Sequence, residues 1–426
     1  MSEPVGRILL RFAPAIYGPT VLFAVGEGAI LPILPVLATR LGADVALATL
    51  IAAMLVIGQL LGNLPAGWAV ARFGERRSMA VSGVVALAGA AGAALAPTLS
   101  LLAIATLVIG LSAAVFGLAR HAFLTIHVPV ALRARALAVL AGTFRFGTFA
   151  GPFIAAGLLI ATGSPAAAAW FFAGCLVLTV ALVVSTREPE MPAPATATPA
   201  TTAEIDPDQG PHSPASSGPA PLERDPEPTG VFATMIRHRG VLARLGLSAA
   251  TLAALRSARQ VILPVWGIAI GADAGTIALV TGISGACDFA LFYASGQITD
   301  RFGRLWATTP AMLLMGFGLV ALAFTEDLAS AVGWWIAIAA VLGIGNGLSS
   351  GLLLTLGADL APRGNPAPFF GSWHTISDAG GAAAPLIIAG IAAVSLPAAA
   401  AAMGALGLLG AAGFLRWMPR YVPRRR

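Results

Sequence analysis

The chain has 426 residues, 58% of them hydrophobic and only 10% charged, with a formal net charge of +6. A soluble protein carries about 25% charged residues, so this composition excludes a soluble enzyme, a nucleic-acid binder and a disordered protein. All 25 basic residues are Arg, which leaves no Walker A phosphate loop and no Schiff-base chemistry on a lysine.

A membrane-spanning helix needs ~20 apolar residues. The apolar runs predict six such helices at 12–38, 45–70, 78–96, 99–121, 136–161 and 166–185. A second set of six is predicted at 244–270, 275–298, 306–324, 329–356, 367–393 and 396–416. Arg7 and Arg11 precede the first run with no cleavage site, which predicts a retained helix rather than a signal peptide. Between the sets, 186–236 is rich in Pro, Ala, Thr and Ser and cannot bury a core. The expected organisation is therefore an N-terminal half (1–185), a disordered cytoplasmic linker (186–236) and a C-terminal half (237–426). Within 185–232, eight acidic residues face only Arg187 and Arg224, a balance of −6 that leaves +12 on the rest. Cys175 and Cys287 lie inside apolar runs and read as core residues, and the five His lack metal-ligand spacing.

Arginine placement gives an orientation. Both ends and the loops after helices 2, 4, 8 and 10 carry Arg7, Arg11, Arg72, Arg76, Arg77, Arg133, Arg135, Arg301, Arg304, Arg363, Arg416, Arg420 and Arg424 to Arg426. The opposite loops carry only Arg40. Positive charge stays inside, so both termini and the linker are expected in the cytoplasm. The alanine-rich, lysine-free composition suggests a bacterial plasma membrane.

The halves repeat. At an offset of 229, Pro35 aligns with Pro264, Gly42-Ala-Asp44 with Gly271-Ala-Asp273, Gly67 with Gly296 and Arg72-Phe-Gly74 with Arg301-Phe-Gly303. At an offset of 233, Gly110 aligns with Gly343, Pro129 with Pro362, Pro152 with Pro385 and Gly157 with Gly390. Two parallel six-helix repeats form a transporter plan with its site near mid-membrane between the halves.

The segment Gly296-Gln-Ile-Thr-Asp300-Arg301-Phe-Gly303-Arg304 closes helix 8. It resembles the G-x-L-A-D-R-x-G-R motif of the major facilitator superfamily, found between helices 2 and 3 and again between 8 and 9. The first-half copy keeps Gly67, Arg72 and Gly74 but has Ala71 where the pattern has Asp. Glycines allow a tight turn there, and the resemblance implies an inner gate in which Asp300 alone supplies the carboxylate. Helix 5 carries Gly142, Gly147, Gly151 and Pro152, similar to the motif of the superfamily's twelve-helix drug:proton antiporters. That branch implies efflux, and the bland alternative is a generic packing face. An Arg of that branch near the middle of helix 4 would fall at Thr106 or Leu107, neither of them basic, and Arg120 lies nearer the cytoplasmic end. Gly343-Ile-Gly-Asn346-Gly347 in helix 10 agrees with the superfamily pattern.

Charges in the hydrocarbon core are costly and each is a functional candidate. They are Glu27 (helix 1), Arg145 (helix 5), Arg256 and Arg259 (helix 7), Asp288 (helix 8) and Asp378 (helix 11). The resemblance places helix 5 beside helix 8, helix 2 beside helix 11, and helices 1 and 7 around the cavity. Arg145 is then expected to face Asp288, Gln59 to face Asp378, and Glu27 to bridge to Arg256. Glu27, Asp378 and Asp288 are the proton candidates, with His374 one turn from Asp378. Arg145, Arg256, Arg259, Gln59, His374, Trp373 and Asn346 are the candidates for substrate or charge pairing. Trp266 and Trp373 are expected near the cavity, and Trp334 and Trp335 as interfacial anchors.

The expected protein is an all-α transporter of twelve spanning helices in two pseudo-symmetric halves. It carries a small molecule across the bilayer by alternating access, uses the proton gradient and no cofactor, and has the monomer as its family expectation. The leading expectation is proton-coupled efflux of a small hydrophobic compound. The alternatives are proton-coupled uptake of a small organic anion and a non-transporting sensor on the same scaffold.

Overall fold

The computed structural model describes residues 13–128, 130–186, 231–362 and 367–421, without the side chains of residues 64, 130, 131, 134, 231–233, 300, 367 and 368. Arg7, Arg11, Arg363, Arg424 to Arg426, the linker stretch 187–230 and the Asp300 side chain lie outside the described residues. Inside a bilayer every backbone N–H and C=O must be paired within the protein, so the apolar runs become helices. In the N-terminal set these are α1 (Ala13–Arg40), α2 (Val45–Phe73), α3 (Glu75–Ala94), α4 (Leu99–His127), α5 (Val130–Thr162) and α6 (Ala166–Ser185). In the C-terminal set they are α7 (Arg239–Ala269), α8 (Ala274–Phe302), α9 (Arg304–Leu322), α10 (Ala331–Leu360), α11 (Ala367–Ala392) and α12 (Leu396–Tyr421). The tail of the expected linker is helical, as Val231–Arg237.

The internal repeat marks the places where backbone geometry is demanding. Gly42 and Gly271 have φ of 88° and 74°, and Gly74 and Gly303 have φ of 81° and 94°. Only glycine occupies this region without strain, so these residues turn the chain between successive helices. Asp44 and Asp273 cap α2 and α8, their Oδ1 atoms accepting from Leu47 N at 2.8 Å and Thr276 N at 3.0 Å.

Asp273 also accepts from the Thr276 hydroxyl at 2.5 Å. The Thr276 hydrogen bonds hold its carboxyl below its ordinary value of 3.8. A carboxyl depressed by folding stabilises fully above its unfolded value, and that stabilisation is lost as pH falls through the folded value. Asp273→Ala should therefore cost part of the ~0.5–2 kcal/mol of an N-cap, near the low end because the site is exposed. The loss should show in thermal unfolding at pH 7 and shrink below pH 4; an unchanged difference at both pH values rejects the account.

Small residues set the closest helix approaches. A β-carbon on Gly110 would stand 2.0 Å from the Leu55 carbonyl oxygen, and one on Gly343 would stand 2.2 Å from that of Ser284. The repeat thus encodes one crossing twice, α2 on α4 and α8 on α10. Gly110→Val and Gly343→Val should each destabilise the fold by at least the ~1–3 kcal/mol typical of overpacking, because the opposing atom is backbone and cannot rotate away. Thermal size-exclusion profiles of both variants test this, and a wild-type profile for either would refute it.

Each set of six packs around its own buried apolar cluster, the second also taking Val36 from α1. A third, smaller cluster joins them, with Ala29, Ile33, Ala155, Ala156 and Leu159 from one half meeting Ala278 from the other. It lies toward the Asp44 and Asp273 caps, so the halves are sealed at that end. Trp334 is 52% exposed, as an anchor should be. Trp335 corrects the expectation: it is fully buried and donates Nε1–H to the Leu263 carbonyl at 3.2 Å.

α10 also departs from the continuous helix expected. It ends at Leu348 and restarts at Leu352, with Gly351 at φ 71°. The Ser349-Ser350-Gly351 run explains this, since serine hydroxyls compete for backbone groups and glycine accepts the left-handed turn. Irregular backbone at membrane depth persists only where protein or a cavity satisfies it. Here Ser295 Oγ donates to the Leu348 carbonyl at 2.6 Å and the Ser350 carbonyl at 3.2 Å, while Arg256 takes the Ser349 carbonyl.

Candidate functional site

The charged residues form two groups. In the first, α1 carries Glu27, which is 4% exposed. Its Oε1 accepts from Gln59 Nε2 of α2 at 3.2 Å. The opposite charge acting on it is Arg120 of α4. Arg120 is 8% exposed; its guanidinium carbon lies 4.6 Å from the Phe144 ring centre, and its Nε and Nη1 have no hydrogen-bond partner among the described residues. Two expectations are corrected here. Glu27 does not bridge to Arg256, and Gln59 faces Glu27 rather than Asp378. The reason is geometric: Glu27 and Arg256 are repeat equivalents, which symmetry puts in the same place of opposite halves, and the Gln59 amide turns from α11 toward Glu27. Glu27 finds its partners inside its own half, on α2 and α4, and Arg256 finds Ser349 on α10.

Arg120 lies deeper than its expected place near the cytoplasmic end of helix 4. α4 runs to His127, so Arg120 sits seven residues from its end, ~10 Å along the axis. The signal was the continuing apolar stretch Phe123-Leu124-Thr125-Ile126 after it. Thr106, where the antiporter pattern has its Arg, is fully buried and bonds only its own helix, donating to the Leu102 carbonyl at 2.8 Å.

The second group spans the seam between halves. Arg145 of α5 donates Nη1–H to Asp288 Oδ1 of α8 at 2.7 Å. Asn346 of α10 donates Nδ2–H to Asp288 Oδ2 at 2.7 Å, and Arg259 Nη2 lies 3.7 Å from the same oxygen. Arg259 also donates Nη1–H to the Ser284 hydroxyl at 2.8 Å. Arg256 holds Ser349 Oγ through Nη2 at 2.8 Å and Nε at 3.2 Å, besides its bond to the Ser349 carbonyl. Three guanidiniums thus gather around one carboxylate. The Phe292 ring centre lies 4.8 Å from the Arg145 guanidinium, and Phe149 stacks on Phe289 at 5.4 Å across the same seam.

The remaining candidates stand apart. Asp378 and His374 are exposed on α11, and no described side chain hydrogen-bonds Asp378. Trp373 and Trp266 are fully buried in the C-terminal core rather than on a cavity, Trp373 donating to the Leu353 carbonyl at 2.9 Å. Gly147 and Gly151 press α5 onto α1, where their β-carbons would stand 2.5 Å from Ala24 Cβ and 2.4 Å from the Val25 carbonyl oxygen. Pro152 is buried beside them, whereas a β-carbon on Gly142 would meet open space. In the turn segments Gly67, Arg72, Gly296 and Arg301 are exposed, and Arg304 Nε donates to Asp359 Oδ2 at 2.8 Å.

The family profile described as Major Facilitator Superfamily matches residues 19–385. No curated protein matches the chain. Among solved structures it is similar to a D-xylose–proton symporter, with 14% identity, TM-score 0.68 and 98% of each chain covered. A bacterial homologue of the human lysosomal transporter Spinster, in an inward-facing, unoccupied conformation, gives 16% identity, TM-score 0.66 and full coverage of both chains. A POT family transporter in complex with a thioalcohol-conjugated peptide gives 12% identity, TM-score 0.75 and coverage of 98% of this chain and 97% of that one. These likenesses carry the twelve-helix fold, and the family match carries membership. Members of this family are transporters rather than enzymes, and they need no cofactor. The chain belongs to the major facilitator superfamily.

Proposed function

We propose that the chain is a proton-coupled secondary transporter that exports a small, largely apolar compound by alternating access, with Glu27 as its proton site. The observation that supports this most is the burial of Glu27 against a single neutral donor, Gln59, with the half-satisfied Arg120 as its counter-charge. An ionised carboxylate away from water is costly, and taking a proton removes that cost. It also removes the attraction to Arg120, so proton binding changes the force between α1 and α4. Asp288 is less suited to carry a proton because Arg145 and Asn346 already occupy its oxygens. The arginine-rich loops support cytoplasmic termini in a bacterial plasma membrane. With that orientation, the sealed end faces outward and the protein is inward-facing.

A second reading, proton-coupled uptake of an organic anion, is favoured by the three arginines of the seam. The experiment that tests coupling is dye-reported proton movement in proteoliposomes on addition of lipophilic compounds. Substrate-induced proton flux in wild type supports it. Substrate exchange with no proton movement would replace it with facilitated transport.

A further inference from the structure

We propose that the substrate carries an anionic group, received at the seam between halves by Arg256 with Arg259 and Arg145 behind it; this rests on the transport reading above. Positive charges and free donors at the seam outnumber the groups that answer them. Asp288 is the one carboxylate among the described residues that meets these arginines, and its oxygens are already taken by Arg145, Asn346 and Arg259. Arg256 stands outside 4 Å of it and uses Nε and Nη2 on Ser349. Nothing among the described residues accepts from its Nη1. Arg259, 8% exposed, has a buried Nε with no partner, and buried Asn346 keeps an unpartnered Oδ1. Positive charge in excess of its partners is expensive at membrane depth, and free guanidinium donors match a carboxylate or sulfonate.

The surroundings fit the same occupant. Ser349 lies where α10 breaks, and such breaks mark binding sites in transporters. The rings of Phe292, Phe289 and Phe149 offer apolar surface beside Arg145, which suits a body that is aromatic or aliphatic. A cation would meet three guanidiniums and be repelled. An organic monoanion with an apolar body is the ligand class that answers the charge, the free donors and the rings together.

The test is binding to the purified full chain in a neutral detergent, with no gradient. Benzoate, benzenesulfonate and octanoate are compared with benzamide and benzylammonium by thermal shift and calorimetry. At least one anion should bind, the neutral and cationic partners should not, and Arg256→Gln should weaken it at least about tenfold, the worth of one charged hydrogen bond. Arg256→Lys keeps the charge and should retain selectivity for anions, as should Arg239→Gln, which is remote and exposed. Equal response to benzoate and benzamide, no response to any anion by folded wild type, or unchanged affinity in folded Arg256→Gln overturns the inference. So does protection by phosphatidylglycerol alone, which would assign the site to a lipid headgroup. Anion binding without transport in proteoliposomes would keep this site and reject the transport reading. Export of neutral compounds with no anion binding would do the reverse.

Discussion

Glu27→Gln is expected to abolish proton-driven accumulation while leaving substrate exchange intact. The substitution keeps the side chain's length and its ability to accept from Gln59 Nε2, which lies 3.2 Å away. It removes only the charge and the exchangeable proton. Arg120, already short of partners at Nε and Nη1, then has the neutral neighbour it meets when Glu27 is protonated. The variant should therefore behave as a permanently protonated transporter. Dye-reported proton flux should fall to the level of empty liposomes, and counterflow of labelled substrate should persist at a rate that no longer varies with pH. Glu27→Asp shortens the side chain by one methylene yet keeps the titrating group, so part of the coupling should remain. If Glu27→Gln still couples, the proton rides elsewhere; Asp378, exposed on α11 with His374 a turn away, is then the residue to replace. If exchange dies with coupling, Glu27 is needed to hold α1 against α2, and its role is structural.

How much of the fold and the site is legible in the sequence depends on the length scale. Helix number, turn positions and the two-fold repeat follow from signals of many residues: apolar runs of spanning length, and glycines such as Gly74 and Gly303 whose backbone angles admit little else. The seam contact of Arg145 with Asp288 also followed, because it needed only the pairing of α5 with α8 and two depths. What failed needed lateral detail. The partner of Glu27 depends on which way α1 is rotated, and the repeat misled because it names equivalents rather than neighbours. An apolar run that reads as ending at 121 puts Arg120 at the membrane surface, whereas α4 continues to His127 and buries it. Trp335 and Trp373 illustrate a third limit. Their rings are amphipathic and suit an interface or a cavity wall, but each indole N–H finds a carbonyl within the core and nothing in the composition says so. The break in α10 was readable in Ser349-Ser350-Gly351, yet hydropathy averages it away.

The largest stability effect should come from Asp288→Asn. Asp288 is 14% exposed and accepts from Arg145 at 2.7 Å and Asn346 at 2.7 Å, with Arg259 at 3.7 Å. Removing one partner of a buried ion pair typically costs about 3–5 kcal/mol, because the other charge is left unpaired. Here two guanidiniums lose their counter-charge at once, so the cost should sit at the top of that range. Exchanging both partners for apolar residues is ordinarily near neutral. In this cluster, however, Arg145→Met with Asp288→Leu still leaves Arg259 buried, with only the Ser284 hydroxyl to bond. The double variant should therefore remain less stable than wild type, and adding Arg259→Met should recover most of the loss. Thermal unfolding of the single, double and triple variants reads this directly, and a triple variant no better than the double would refute this account of two arginines sharing one carboxylate. The same bond crosses between halves, and under the proposed alternating-access cycle it would favour the state in which they meet there. In a protein with Cys175 and Cys287 replaced by Ser, spin labels at Thr162→Cys and Ala272→Cys should move apart when Arg145→Met is added, since a contact present in one state only sets the balance between states. An unchanged distance distribution would mean that the apolar cluster of Ile33, Leu159 and Ala278 holds that end shut by itself.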